Sequence, residues 1–294
     1  MTDLPLSETA LRFLAFAAIF AVMALLELWL PRRTLSVSKA RRWTTNLSII
    51  ALDSLLVRLM GMLAVPLVAI AAALYAERQG LGLFNWLGIP FWLALPVSLV
   101  VLDLAIWAQH LASHKIPSLW RLHRVHHADR DIDVTTSIRF HPIEIGLSML
   151  YKIVVVLALG VPPLAILLFE VILNGCAMFN HSNVALPGWL DRGLRVFVVT
   201  PDMHRVHHSI LHREHDSNYG FNLSIWDRLF GTYTAQPEAG HEGMTIGLPP
   251  YQHEGPTRLW WSLALPFAAL RPARDAERPE APPDPARERP SQPS

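Results

Sequence analysis

Four long apolar stretches cover most of the chain before residue 180 and predict a row of membrane-spanning helices. They comprise residues 13–30, 47–75, 81–108 and 145–179. About 20 helical residues, rising about 1.5 Å each, cross the hydrocarbon core of a bilayer, so the first stretch is long enough for one span. The fourth is interrupted by Gly160, Val161, Pro162 and Pro163. We expect two antiparallel arms there, either fully spanning or re-entrant.

The second stretch and the C-terminal part of the chain depart from this simple pattern. The second stretch is longer than one span requires, and its earlier part contains Asp53 and Arg58. Residues 260–270 begin with a Trp pair and are too short to cross a bilayer, which is typical of an interfacial helix. From residue 271 onward, seven of the 24 residues are proline. This composition predicts a disordered tail over 271–294.

The basic residues predict how the helices are oriented. The loop after the first stretch carries only basic charges, namely Arg32, Arg33, Lys39, Arg41 and Arg42. The positive-inside rule therefore places this loop in the cytoplasm and the N-terminus outside. Residues 109–144 and 180–259 are then expected in the cytoplasm as well. The first stretch is too long for the apolar core of a cleaved signal peptide, so we expect no such peptide here.

The composition excludes several classes of protein. Apolar residues make up 52% of the chain and charged residues 17%, whereas a soluble domain has about 25% charged residues and a disordered chain has far fewer apolar ones. The single cysteine, Cys176, excludes a disulfide scaffold and a thiolate zinc or iron–sulfur site. A net charge of +1 argues against nucleic-acid binding. What remains is a membrane protein with 14 histidines.

Nine of these histidines fall into metal-ligand spacing. Two of them are four residues apart and share one helical face, and the pentapeptide His-Arg-Val-His-His occurs twice with its histidines at i, i+3 and i+4. The nine are His110 and His114, then His123, His126 and His127, then His181 alone, then His204, His207 and His208. The exact repeat beside the end of a membrane helix makes a chance surface pattern or a pH-sensing cluster the weaker interpretation.

These residues point to a site with two metals. Imidazole is neutral near pH 7 and ligates iron, zinc, copper and nickel. Eight or nine imidazoles are too many for one ion and fit two ions with four or five ligands each. The sequence therefore predicts an all-histidine di-metal site.

Four further residues are candidates for orienting these ligands through hydrogen bonds: Asp103, His141, His212 and His215. An acid within a membrane helix is a functional hypothesis by default, and Asp103 shares a helical face with the first histidine pair. Its alternative role is a structural ion pair with Arg58. The alternative role of His141 is direct ligation of a metal. For His212 and His215, the alternative is that they have no role in the site.

Three aspartates, Asp129, Asp131 and Asp133, follow the first pentapeptide closely. One interpretation is that they accept hydrogen bonds from ligand imidazoles, as carboxylates around metal sites do. The other is a solvated acidic loop that offsets Arg124 and Arg130. Trp226 and Phe230 are expected to pack, and Asp227 and Arg228 to pair or cap a helix.

The order of the motifs, His-x3-His followed by two copies of His-x2-His-His, resembles the fatty acid hydroxylase/sterol desaturase superfamily of integral-membrane oxygenases. Four segments are similar to its bacterial branch: 120–127 (WRLHRVHH), 133–144 (DVTTSIRFHPIE), 201–208 (PDMHRVHH) and 218–232 (NYGFNLSIWDRLFGT). The resemblance covers about residues 95–235. Some fatty-acid 2-hydroxylases carry another histidine where this chain has Ala177, and Asn174 or Asn180 is a candidate replacement.

The resemblance implies two iron ions held by the nine histidines, with zinc as a substitute in purified material, and O2 as co-substrate. It implies hydroxylation or desaturation of an unactivated C–H bond in a lipid, of which hydroxylation is favoured. It also implies electrons from NAD(P)H through a separate reductase with cytochrome b5 or ferredoxin. The chain has no glycine-rich dinucleotide fingerprint and no cysteine framework of its own. The expected location is a bacterial inner membrane, with the site on the cytoplasmic side.

Together these inferences predict an all-α, polytopic membrane helix bundle of about four to five segments, with a cytoplasmic helical cap that carries the di-metal site. Residues 1–94 would form the N-terminal transmembrane helices and 95–235 the catalytic domain. Residues 236–270 would form a cytoplasmic or interfacial segment before the tail.

Two other functions compete with the lipid oxygenase, within which ether-lipid cleavage is a variant. A zinc-dependent membrane hydrolase would need a general base, typically the glutamate of His-Glu-x-x-His, and this motif is absent from the sequence. A metal transporter would place histidines and acids in the middle of spanning helices, whereas here they concentrate at helix ends.

Overall fold

The computed structural model describes residues 8–63 and 68–269. The helices are α1 (Glu8–Trp29), α2 (Lys39–Leu63), α3 (Ala69–Gln79), α4 (Leu83–Trp86), α5 (Phe91–Lys115), α6 (Pro117–His127), α7 (Pro142–Leu159), α8 (Pro163–Asn180), α9 (Gly188–Leu194), α10 (Pro201–His207), α11 (His212–His215), α12 (Ile225–Leu229), α13 (Gly240–Gly243) and α14 (Leu259–Ala264). Short 3-10 turns cover Thr136–Ile138, Pro249–Tyr251, Gly255–Thr257 and Leu265–Phe267. The described residues contain isolated β-bridges but no strand, so the all-α class is confirmed. The predicted tail, 271–294, lies outside the described residues.

Within residues 8–63 and 68–269, five helices are long and apolar enough to cross a membrane, namely α1, α2, α5, α7 and α8. This number confirms the polytopic bundle of four to five segments. Many large apolar side chains on these helices, such as Phe13, Met62 and Val154, are exposed. An extended apolar exterior of this kind marks a surface that contacts lipid.

The interrupted fourth stretch forms the antiparallel pair α7 and α8. Each helix has 18 residues, and about 1.5 Å per residue gives a length of about 27 Å. The turn between them depends on Gly160, whose φ of 70° favours glycine. It also touches the loop before α4, because a Cβ on Gly82 would lie only 2.1 Å from the Gly160 nitrogen. Backbone contact holds this end of the bundle together.

The second apolar stretch does not form a single helix. α2 begins at Lys39, earlier than the stretch, and ends at Leu63, while α3 is a separate helix of 11 residues. The sequence indicated only that this stretch is longer than one span requires. The helix α3 is about 16 Å long at about 1.5 Å per residue, buries four alanines and packs on α7 and α8.

The other end of the bundle carries a cap built from α6, α9 to α13 and the loops between them. α1, α5 and α8 end in this layer, and α2 and α7 begin there. Glu27, near the end of α1, illustrates the junction, since its Oε1 accepts hydrogen bonds from the backbone N–H groups of Val134 (2.6 Å) and Asn183 (2.9 Å). Helix ends and cap therefore form one packed unit.

Neither expectation for the aspartates at 129, 131 and 133 is met: all three are buried, and they bind groups other than the imidazoles. Arg42 of α2 is fully buried and donates to Asp129 through Nε (2.7 Å) and Nη2 (2.8 Å), and to Asp133 through Nη1 (2.5 Å). Asp131 accepts the backbone N–H groups of Ser36 and Val37. Buried carboxylates need such partners. The segment after the first pentapeptide is thus fastened to the start of α2, and Arg42 is part of the core rather than of a solvated basic loop.

The predicted interfacial segment contains α14, which packs on α2, and a 3-10 turn over Leu265–Phe267, which packs on α6. Arg124 of α6 donates to the carbonyls of Leu265 and Ala268, while Trp260 and Phe267 are exposed. The interfacial location of this segment stays a prediction.

Candidate metal centre

The cap and the helix ends bring all nine histidines of the sequence motifs together. Their ring nitrogens form two groups, and within each group the ligand atoms lie within 4.8 Å of one another. The five-histidine group contains His110, His114, His123, His127 and His207, and the four-histidine group contains His126, His181, His204 and His208. Every member is buried except His114, which is half-buried.

The two pentapeptides divide their histidines between the groups in opposite ways. On α6, His123 and His127 (i and i+4) belong to the five-histidine group, and His126 (i+3) belongs to the four-histidine group. At α10 the division is reversed. His204 and His208 (i and i+4) belong to the four-histidine group, and His207 (i+3) belongs to the five-histidine group. In a helix, i and i+4 are about 40° apart and i+3 lies about 100° from i+4, which follows from 3.6 residues per turn. One short helix can therefore serve both groups, and the groups lie side by side.

Distances within the groups fit a metal ion. The Nε2 atoms of His110 and His123 are 3.1 Å apart, and the Nε2 atom of His181 is 3.1 Å from those of His126 and His204. Two nitrogens that bind one ion at about 2.1 Å, on neighbouring corners of a tetrahedron or octahedron, lie about 3.0–3.4 Å apart.

Hydrogen bonds behind the rings select the metal-binding nitrogen. The Nδ1–H groups of His110, His181 and His207 donate to the carbonyls of Tyr219 (2.7 Å), Ala177 (2.8 Å) and Ser217 (2.6 Å) respectively. His123 Nδ1 lies 2.7 Å from Glu144 Oε1. Because Nδ1 carries the proton in these rings, the lone pair of Nε2 points into the group.

Several of the inward nitrogens have no hydrogen-bond partner among the described residues. They are Nε2 of His114, His127, His207 and His208. A buried polar atom without a partner costs free energy, and a metal ion would satisfy all of them at once. The donor set therefore fits two metal ions, and imidazole nitrogens suit iron, zinc, copper or nickel.

Burial favours the neutral form of several of these histidines, as metal binding requires. Burial lowers the pKa of His126, His127, His204, His207 and His208 well below 6.5, and the neighbouring imidazoles lower it further. Burial also lowers the pKa of His181 to about 3. Near pH 7 these rings present a lone pair rather than a charge.

Aromatic side chains surround the groups. Phe140 stacks on His126 with centroids 4.5 Å apart, and Phe221 lies 4.8 Å from His110 and 5.9 Å from His204. Tyr219 packs edge-on against His110 and His207, both at 5.7 Å. These rings cover the histidine groups with apolar and aromatic surface.

The four predicted orienting residues have different surroundings. His215 lies beside the five-histidine group, 5.9 Å from both His114 and His127 between ring centroids, and burial lowers its pKa to about 4. His212 is exposed and contacts His215 at 5.0 Å. His141 belongs to neither group; it begins α7, and its ring bonds the Ile143 N–H and the Leu263 carbonyl.

Asp103 contacts neither a ligand histidine nor the expected Arg58. Among the described residues its carboxylate accepts from Trp226 Nε1 (2.7 Å) and from the Leu223 N–H (3.3 Å). Asp227 acts in a similar way, since it accepts from Trp107 Nε1 and from the N–H groups of Tyr219 and Gly220 rather than pairing with Arg228. These bonds fix the segment whose Tyr219 carbonyl holds His110.

Sequence reasoning missed the role of Glu144 and the backbone carbonyls behind the rings. Glu144 had one visible signal, namely an acid in the first turn of an otherwise apolar membrane helix. Carbonyl partners leave no trace in a sequence. Asn174 is exposed, which argues against a role as a replacement ligand. Asn180 donates its amide N–H to the Phe221 carbonyl, and its buried Oδ1 has no hydrogen-bond partner among the described residues, so its role as the replacement ligand stays a prediction.

Comparison with known proteins agrees with this site. Residues 95–232 match the family model described as fatty acid hydroxylase. Ornithine lipid hydroxylase OlsE of Rhizobium tropici is 32% identical over 142 residues, which is 48% of this chain and 42% of the relative. Alkylglycerol monooxygenase of Homo sapiens is 28% identical over 150 residues (49% and 31%), and cholesterol 25-hydroxylase of Rattus norvegicus is 27% identical over 144 residues (49% and 47%).

The family resemblance is therefore confirmed: the histidine-rich part of this chain matches the fatty acid hydroxylase family model. The matched segment covers less than half of the length of each of these three relatives. No solved structure matches the chain significantly.

Proposed function

We propose that this protein is a membrane-bound di-iron oxygenase that hydroxylates a lipid with O2 and externally supplied electrons. The observation that carries the proposal is the pair of adjacent, buried all-imidazole groups at the ends of membrane helices. Two bound irons would supply O2 activation and the oxidation of an unactivated C–H bond. The three relatives named above are all hydroxylases or monooxygenases, which favours hydroxylation over desaturation.

The chain's own residues would bind the two ions, orient the imidazole rings and shield the site from water. The nine histidines bind the ions, and the carbonyls of Ala177, Ser217 and Tyr219 keep three of the rings in the metal-binding tautomer. Phe140 and Phe221 line the groups with apolar surface, which excludes water and suits an acyl or other hydrocarbon chain. A lipid can reach this space without leaving the membrane, since α5, α7 and α8 border both.

The electron donor is expected to dock beside His114. This is the one ligand candidate that is not fully buried, and residues 115–118, which follow it, are exposed. Exposed Ile116 and Leu211 give this surface an apolar centre, and Lys115 and Arg213 lie at its edge, paired with Asp216 and Glu238 respectively. A small surface of this kind fits a one-electron carrier of the ferredoxin or cytochrome b5 type, because electron-transfer encounters are small.

The basic residues around α2 support a location of the histidine cap on the cytoplasmic side of a bacterial inner membrane. There a reductase that uses NAD(P)H is available.

The test is purification in nanodiscs, followed by metal analysis and mass spectrometry of lipids from cells with and without the protein. We expect two irons per chain and an O2-dependent product that has gained one oxygen atom. His207→Ala should abolish the product, whereas His253→Ala, at an exposed position, should not. Tightly bound zinc without O2-dependent product would overturn the proposal in favour of a hydrolase.

A further inference from the structure

A second cavity lies beside the cap and outside the metal centre. It has a volume of about 640 Å³ and is lined by the loop between α1 and α2, by the start of α2 and by parts of the cap. Its charged lining residues are Glu27, Arg32, Arg33, Lys39, Asp133 and Glu242. A volume of about 300–1,000 Å³ is typical of sites for small molecules.

The cavity lies at the depth where lipid headgroups are found. It begins where α1 ends and α2 starts, at the same end of the bundle as the histidines. Next to it, Leu28, Trp29 and Leu30 are 65%, 73% and 50% exposed. An exposed Trp flanked by leucines at the end of a spanning helix is typical of the membrane–water interface.

Most charges in the cavity already have partners within the protein. Arg32 pairs with Asp202 (3.3 Å) and Glu242 (3.2 Å), and one Nη of Arg33 donates to the His241 carbonyl. These contacts fix the position of the loop and leave further N–H groups of Arg33 at the cavity wall.

Glu27 and Lys39 are different, because each keeps unused hydrogen-bonding capacity. Glu27 Oε1 is held by two backbone N–H groups, but its buried Oε2 has no hydrogen-bond partner among the described residues. The closest cation to Oε2 is the ammonium of Lys39 at 3.9 Å, about 1 Å longer than a charge-assisted hydrogen bond. Lys39 lies over the ring of Trp43 at 4.8 Å. An orphaned carboxylate oxygen and a loosely paired ammonium thus face the same space.

The cavity is coupled directly to the metal centre. The loop bonds the segment that follows His181 through Arg32 N–H to the Asn183 carbonyl (2.8 Å) and Ala185 N–H to the Leu30 carbonyl (2.8 Å). Asn183 also lines the cavity, and it is two residues from the ligand candidate His181. The cavity wall and the four-histidine group thus share the backbone segment that begins at His181.

We propose that this cavity binds a zwitterionic lipid headgroup, with its amine at Glu27 and its carboxylate or phosphate at Lys39 and Arg33. The inference rests on the proposed function, since it assigns the headgroup class of the lipid substrate. Sterols and alkylglycerols carry no charged group, so they would leave Glu27 Oε2 and the Lys39 ammonium with only their long 3.9 Å contact. A headgroup with both charges satisfies them together.

The test is native mass spectrometry of the full-length, metal-free protein in detergent, which needs neither iron nor O2. The probes are ornithine lipid (amine and carboxylate), phosphatidylethanolamine (amine and phosphate), an alkylglycerol and cholesterol. We expect at least one of the two zwitterionic lipids to bind tenfold more tightly than both neutral ones, and the better of the two identifies the anionic group. Glu27→Gln, which keeps Oε1 as an acceptor, and Lys39→Met should each remove this preference.

The matched controls are Glu254→Gln and Arg41→Met, which alter an exposed ion pair near the same helix end (3.2 Å) and should leave binding unchanged. Equal affinity for charged and neutral lipids, or unchanged binding in both cavity variants, would overturn the inference. Circular dichroism and metal uptake of the variants separate lost binding from lost folding. An active oxygenase without headgroup preference would refute only this inference, whereas headgroup preference without O2-dependent product would refute only the proposed function.

Discussion

Glu144 gives the sharpest test of how the structure prepares its histidines for metal. It is buried in the first turn of α7, and its Oε1 lies 2.7 Å from Nδ1 of His123, a member of the five-histidine group alone. Glu144→Gln keeps an acceptor oxygen but removes the negative charge. A hydrogen bond to a charged group contributes about 1.5–3 kcal/mol and a neutral one about 0.5–1.5 kcal/mol. The difference of about 1–1.5 kcal/mol corresponds to a roughly tenfold loss of metal affinity.

Glu144→Ala removes the whole bond and should lower the affinity by about 10- to 100-fold, as loss of a histidine's hydrogen-bond partner does at other metal sites. The assay is a titration of metal-free protein with Co²⁺ in competition with a chelator. Because the two groups have five and four histidines, we expect two binding steps. Only the step that belongs to the five-histidine group should weaken.

The control is Glu77→Gln, at an exposed position on α3, which should leave both steps unchanged. Wild-type affinity in both Glu144 variants would refute the argument that this carboxylate orients the ring. Equal weakening of both steps, with intact helix content, would show that the two groups do not bind metal independently.

The remaining predictions concern stability, metal loading and the tail. Arg42→Met leaves two buried aspartates without their cation. The free energy of unfolding should therefore fall by about 3–5 kcal/mol, and an unchanged Tm would contradict this. His126→Ala and His207→Ala should each abolish iron loading and activity while the protein still inserts, and near-normal turnover in either would argue against the site. Because the pKa of His181 is about 3 when buried and about 6.5 when unfolded, the unfolded chain binds more protons below pH 6.5; the Tm of the metal-free protein should fall between about pH 6.5 and 3. Deletion of residues 274–294 should leave activity intact, which a lipid-product assay checks.

The sequence by itself determined the class of protein and the candidate ligands, because both depend on local spacing. Apolar stretches of about 18 residues predict spans wherever they occur, and the structure contains the expected bundle. The nine histidines were recognisable because i, i+3 and i+4 positions meet on a helix whatever the tertiary fold. The order of the motifs was enough to indicate the family, which the comparison over residues 95–232 confirmed.

Tertiary structure alone decided how these elements are used. The division of each pentapeptide between two groups depends on the angle at which α6 and α10 approach the ends of α5 and α8, and no residue of the motif encodes this angle. The sequence pattern places Arg42 in a basic loop. Its side chain is nevertheless buried, because carboxylates about 90 residues further along the chain surround it. The short helix α3 packs against α7 and α8 through its four buried alanines, rather than continuing the span of α2. Long-range partners, which local pattern does not record, set the position of every such group.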